Sequence, residues 1–119
     1  MTDDRRKFKR VGEALKLKYQ VIFSMGFGSD IKDGEGLAQS LDLSEGGLSF
    51  ISDKNIPVDS FLEVELNLPG ESVPIYIKGE VVRVEEEPTG KFDVIIKFEY
   101  KLEKDAEILH HYMMNNSID

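Results

Sequence analysis

Leu41-Asp42-Leu43-Ser44-Glu45-Gly46-Gly47-Leu48-Ser49-Phe50 is the stretch on which the fold turns. Apolar and short polar residues alternate up to Ser44, and two glycines follow before an apolar run resumes. In an extended strand that alternation places Asp42 and Ser44 on one face and Leu41 and Leu43 on the other. Gly46 and Gly47 then allow a positive φ, or let something come close to the backbone. A strand, a glycine turn and a second strand are expected, with a carboxylate and a hydroxyl side by side at the corner.

Working outward, the same period of two recurs along most of the chain. Leu15, Leu17, Tyr19, Val21 and Phe23 alternate with polar residues over 14–25. Residues 37–44 and 48–52 flank the glycine turn. Leu62, Val64, Leu66 and Leu68 share one face of a strand over 61–68, and Pro69-Gly70 turns the chain back. The longest candidate runs over 73–85, where Gly79 interrupts the pattern as a bulge does. The last covers 92–98, with Phe92, Val94, Ile96 and Phe98 in register. Residues 26–36, rich in glycine and aspartate, read as a loop; Lys32 and Gly34 sit where a calcium loop needs oxygen ligands.

From about Glu103 the period changes to that of a helix. Ala106, Leu109, Tyr112 and Met113, with Ile108 beside them, form an apolar stripe suited to covering a β core. His110 and His111 are adjacent, so they diverge on a helix and cannot share a metal; both are expected at the surface. Six short strands and one helix in 119 residues give a mainly β, mostly antiparallel barrel or sandwich with a C-terminal helix.

Composition narrows the function. The net charge is −8, yet residues 1–10 hold five basic and two acidic side chains, a net +3, which leaves −11 for the rest. An acidic body with a basic arm is poorly suited to charge-driven binding of nucleic acid or anionic membranes. The absence of cysteine removes disulfides, thiolate metal sites and thiol catalysis. No apolar run reaches the roughly 20 residues of a membrane span, and no apolar segment follows the basic N-terminus as in a signal peptide. A cytoplasmic location is expected. Catalysis has little support: Ser44 has no histidine near it in sequence, and no Gly-Lys-Ser/Thr phosphate loop occurs.

Binding is better supported. The arm reads Arg5-Arg6-Lys7-Phe8-Lys9-Arg10, with Arg6 and Arg10 spaced R-x-x-x-R. Arginine's planar donors match phosphate oxygens and the O6/N7 edge of guanine, and its face stacks on purines. The Asp42 carboxylate suits the guanine N1–H and N2–H₂ edge, and Ser44 a ribose or a phosphate. An anionic guanine nucleotide fits these groups. A nucleic-acid module using the basic arm is the alternative, but it would lack an exposed aromatic stacking platform.

Arg6-x-x-x-Arg10 followed by Asp42-x-Ser44-x-x-Gly47, with Gly46-Gly47-Leu48-Ser49-Phe50, resembles the PilZ domain family. The likeness extends from the arm through six strands to the closing helix. It implies a six-stranded antiparallel β-barrel with a C-terminal α-helix, and a bacterial receptor for the second messenger cyclic di-GMP, with no enzyme activity and no other cofactor. On this likeness residues 1–13 form a flexible arm and 14–119 the barrel domain. Arg6 and Arg10 correspond to the arginines that fold over the ligand, Asp42 and Ser44 to the polar pair on the barrel, and Gly46 and Gly47 to the turn. Arg5, preceding Arg6, corresponds to the extra arginine associated with two intercalated cyclic di-GMP molecules per domain. A downstream protein partner that reads the liganded surface is implied; a nucleotide-independent adaptor of the same family is the other alternative. Nothing upstream of the arm resembles the added domain of flagellar-brake members, so that role is not expected.

Overall fold

Each period-two run becomes a strand in a computed structural model of the chain, which describes residues 10–11, 14–23 and 35–116. The elements are β1 (Arg10–Val11), β2 (Lys16–Phe23), β3 (Glu35–Ser44), β4 (Gly47–Ser52), β5 (Phe61–Leu66), β6 (Ile75–Glu86), β7 (Phe92–Lys101) and α1 (Glu103–Asn116). The loop reading of 26–36 falls outside the described residues over 26–34 and is corrected at Glu35 and Gly36, which extend β3 and pair with Gln20 and Tyr19 of β2. All pairings are antiparallel, in the order β1-β3-β2-β5-β6-β7-β4, and β4 pairs back onto β3. That last pairing closes six strands into a barrel and leaves β1 as an added two-residue strand.

The inward face is continuous. Leu62, Val64 and Leu66 of β5 are fully buried, each worth about 1.5–3 kcal/mol of burial. Leu17, Phe50, Ile77 and Val94 meet them from the other strands. The helix closes the same core with Leu109, Tyr112 and Met113, as its apolar stripe predicts. Its first turn is fastened by a contact the stripe does not reveal. Asp105 is buried, and its Oδ2 accepts the Tyr76 N–H of β6 at 3.3 Å.

Three bulges break the simple alternation. One residue is extra at Ile22 on β2, at Leu41 on β3 and at Val82 on β6, and all three are turned outward, 45–46% exposed. The expectation that Leu41 shares a face with Leu43 is therefore corrected. Leu43 is buried, but Ser40 takes the inward place behind it and Leu41 faces solvent. Ser40 can occupy the core because its hydroxyl accepts the Leu15 N–H at 3.1 Å and its own N–H donates to the Leu15 carbonyl at 2.9 Å. The bulge expected at Gly79 is corrected: Gly79 keeps the alternation, buried between Ile77 and Val81, and the extra residue of a fourth irregularity beside it is Glu99 on β7.

Candidate functional site

The corner between β3 and β4 is held by its own serine. The Gly46 N–H donates to Ser44 Oγ at 3.1 Å, and the Ser44 hydroxyl donates to the Gly47 carbonyl at 3.3 Å. The Phe98 N–H donates to the Gly46 carbonyl at 2.9 Å, tying the corner to β7. Of the two reasons offered for the glycines, positive φ is corrected: among the described residues the glycines with positive φ are Gly70 and Gly90, at other turns. Close approach holds for Gly47, where a Cβ would collide with the Ile96 carbonyl oxygen of β7. Glu45, at the tip, is bound to α1 through His110, whose Nδ1 lies 2.9 Å from Glu45 Oε2. His110 is exposed as expected, and is also the link between the helix and this corner.

Outward-facing residues of β3, β4, β7 and β6 form an open groove of about 400 Å³. Asp42 and Ser44 stand on its β3 wall, Gly46, Gly47 and Ser49 on its floor, and Val82, Ile95 and Lys97 beyond. The register explains the grouping, since Asp42 pairs with Ser49, Ser49 with Ile95, and Gly47 with Lys97. Four of the seven expected site residues, Asp42, Ser44, Gly46 and Gly47, thus line one groove. Of the arginines, Arg10 is placed by its backbone: β1 runs along the free edge of β3 with Arg10 opposite Ser44 and Val11 opposite Leu43. Arg5 and Arg6 lie outside the described residues, as do residues 1–9 of the arm.

Ser49, Val82, Ile95 and Lys97 are the groove residues that sequence reasoning missed. Ile95 and Lys97 are simply the outward positions of a half-buried strand, and nothing local says that β7 will lie two strands from Asp42. The bulge at Val82 is equally silent in the sequence. A larger groove, about 660 Å³, lies over β2, β3 and β5, with Leu37, Leu41 and Ile51 among its walls. Size would favour it, but it holds none of the motif residues, and the polar groups suited to a nucleotide converge in the smaller one.

Electrostatics at the groove's margin is dominated by carboxylates. Burial pushes the Asp93 carboxyl above its ordinary value, with further upward pressure from Glu87, Glu85 and Asp42 against the opposing charge of Arg83. Arg83 is itself bridged to Glu85, and Asp93 Oδ1 is buried with no hydrogen-bond partner among the described residues. A carboxyl raised in the folded state supports folding fully below its unfolded value of 3.8 and loses that contribution as pH rises through the folded value. Asp93→Asn is therefore expected to raise Tm by about 2–4 °C at neutral pH. Thermal melts across a pH series should show that gain vanish below pH 3.8.

A closed antiparallel barrel whose outer face carries a groove of this volume, with a polar β3 wall and an apolar shelf opposite it, has the architecture of a small-ligand-binding β module. The chain belongs to the PilZ domain family, whose model matches residues 4–115. Solved structures share the fold. The inhibitor of motility MotI/DgrA of Bacillus subtilis aligns with a TM-score of 0.74 at 19% identity over 95% of this chain and 51% of its own. The PilZ domain of YcgR from Escherichia coli with c-di-GMP aligns at 0.66 and 11% identity over 95% and 92%. The MrkH–c-di-GMP complex of K. pneumonia aligns at 0.68 and 13% over 96% and 53%. The chain thus spans about half the length of the Bacillus subtilis and K. pneumonia proteins. Among curated proteins no sequence matches it.

Proposed function

We propose that this domain is a receptor for cyclic di-GMP that acts by binding rather than by catalysis. The observation that carries the reading is the meeting of two distant sequence motifs at one edge. The Asp42–Gly47 corner lines the groove, and the strand that ends the R-x-x-x-R arm pairs with β3 so that Arg10 sits opposite Ser44. That the YcgR and MrkH structures of the same fold contain c-di-GMP supports the choice of ligand.

On this reading Asp42 accepts the guanine N1–H and N2–H₂ edge, and Arg6 and Arg10 take phosphate oxygens and a guanine face. Ser44 already spends its proton on the Gly47 carbonyl and one lone pair on the Gly46 N–H. Its remaining capacity is as an acceptor, which suits a ribose hydroxyl better than a phosphate. Arg5 supplies the extra cation for a second, stacked ligand. Residues 1–9 fold over the dinucleotide, and the changed surface is read by a protein partner. The ligand's role as an internal messenger makes the site of action cytoplasmic. Among the described residues no helix is long and apolar enough to cross a membrane.

Isothermal titration of cyclic di-GMP tests the reading. The wild-type chain is expected to bind on the order of micromolar or tighter, with a stoichiometry approaching two ligands per chain. Arg6→Ala, Arg10→Ala and Asp42→Ala are each expected to weaken binding by at least about tenfold. A wild-type chain that takes up no ligand refutes it.

A further inference from the structure

Lys97 has no place in the motif, yet it stands in the groove. β7 pairs Lys97 with Gly47, and Lys97 lines the same groove as Asp42 and Ser44, exposed to solvent. β4 lies between β3 and β7, so the two walls are separated by two strand spacings, roughly 10 Å. Gly47, in the middle, has no side chain to obstruct a ligand that spans them. Ile95 and the bulged Val82 provide an apolar shelf alongside, on which the face of a purine can rest.

The charges give this position a purpose. Among the described residues that line the groove, Asp42 is the one carboxylate and Lys97 the one cation. The remaining polar side chains there, Ser44 and Ser49, are neutral. The body around them is acidic, a net −11 outside the first ten residues. An anionic ligand brought to these walls without Lys97 would meet a carboxylate and a repulsive field.

We infer that Lys97 is a phosphate-binding residue of the groove, holding a phosphodiester at the β7 wall while the guanine edge meets Asp42 at the β3 wall. The inference rests on the reading of the groove as a cyclic di-GMP site and adds to it a residue outside both motifs. It also gives a reason for ligand choice: a purine derivative without phosphate leaves the ammonium unused.

The competing explanation is that Lys97 serves its cross-strand neighbour. Glu80 is directly opposite it in the β6–β7 ladder, a pairing that favours opposite charges. Glu80, however, is pushed above its ordinary carboxyl value by burial together with the like charge of Asp59, against the opposing charge of Lys97, so it is not devoted to Lys97.

Calorimetric titration of the full chain with cyclic di-GMP, at low and at high salt, separates the two. Lys97→Met is expected to weaken binding by about tenfold at low salt and to flatten the salt dependence, because a screened charge pair has been removed. Lys97→Arg, which keeps the charge, is expected to stay within about twofold of wild type. Lys78→Met, an exposed lysine of β6 outside the groove, should leave both quantities unchanged. If Lys97→Met and wild type bind with the same affinity and the same salt dependence, Lys97 does not hold phosphate, and the receptor reading stands. If the wild type itself binds nothing, both fall.

Discussion

Gly47→Ala is expected to lower the unfolding midpoint of the unliganded protein by about 10–15 °C, a loss of about 3 kcal/mol. The methyl group would collide with the Ile96 carbonyl, which is backbone and cannot rotate aside. Relief requires β4 and β7 to separate where Gly47 pairs with Lys97, and the Phe98–Gly46 bond beside them would be strained. Gly79→Ala is the calibrating comparison. There the added Cβ would stand 3.0 Å from the Lys97 carbonyl oxygen and 3.2 Å from Ile96 Cδ1, close enough to disturb but not to exclude. A loss of about 1 kcal/mol is expected. Urea or thermal unfolding without ligand decides the matter. If Gly47→Ala is as stable as wild type and only ligand affinity falls, Gly47 is bare for the ligand's sake and the packing account is wrong.

Phe50→Ala is expected to cost still more, about 3–5 kcal/mol, a large part of the 5–15 kcal/mol typical of a whole domain. Phe50 is completely buried at the centre of β4, and its ring lies 4.9 Å from that of Tyr19 on β2, tilted by 33°. Removing it leaves a cavity flanked by two strands that cannot collapse without disturbing the barrel, and it deprives Tyr19 of its aromatic neighbour. Tyr19 is further tied across the core by a hydrogen bond of 3.3 Å to Ser52 Oγ, so it is not free to fill the space. Phe50→Leu, which keeps most of the volume, should cost less than half as much. Denaturant titration with both variants checks the ratio; equal losses would show that shape, not volume, dominates.

The barrel was legible because its core alternates faithfully. Leu15, Leu17 and Tyr19, Leu62 to Leu68 and Val94 to Phe98 are all buried where a period of two puts them. The helix announced itself in the same way. What the sequence concealed is where that period slips. At Leu41 the extra residue exchanges a leucine for Ser40 at the core, and no local rule distinguishes such a leucine from a buried one. β1 was hidden for a different reason: two residues at the end of a basic arm carry no periodicity, and only β3's free edge makes them a strand.

The site was half legible. Asp42, Ser44, Gly46 and Gly47 are contiguous, so their geometry follows from one strand and one turn. Lys97 and Val82 reach the groove through the β4–β7 and β6–β7 ladders, which depend on the closed order of strands. The contact of Glu45 with His110 likewise joins residues that only the finished barrel brings together.

The order of strands also governs how quickly the chain can reach this state. Leu17 must find Leu66, and Gly47 must find Lys97, each roughly fifty residues further along, and such non-local pairings put a small β domain in the millisecond-to-second range of folding. The β6–β7 and β3–β4 hairpins need far shorter searches. The corner that carries Asp42 and Ser44 and the wall that carries Val82, Ile95 and Lys97 can therefore each form early as hairpins, and they meet only with the slow closure of the barrel. On this account a newly made chain holds the two halves of the groove apart before it holds the groove.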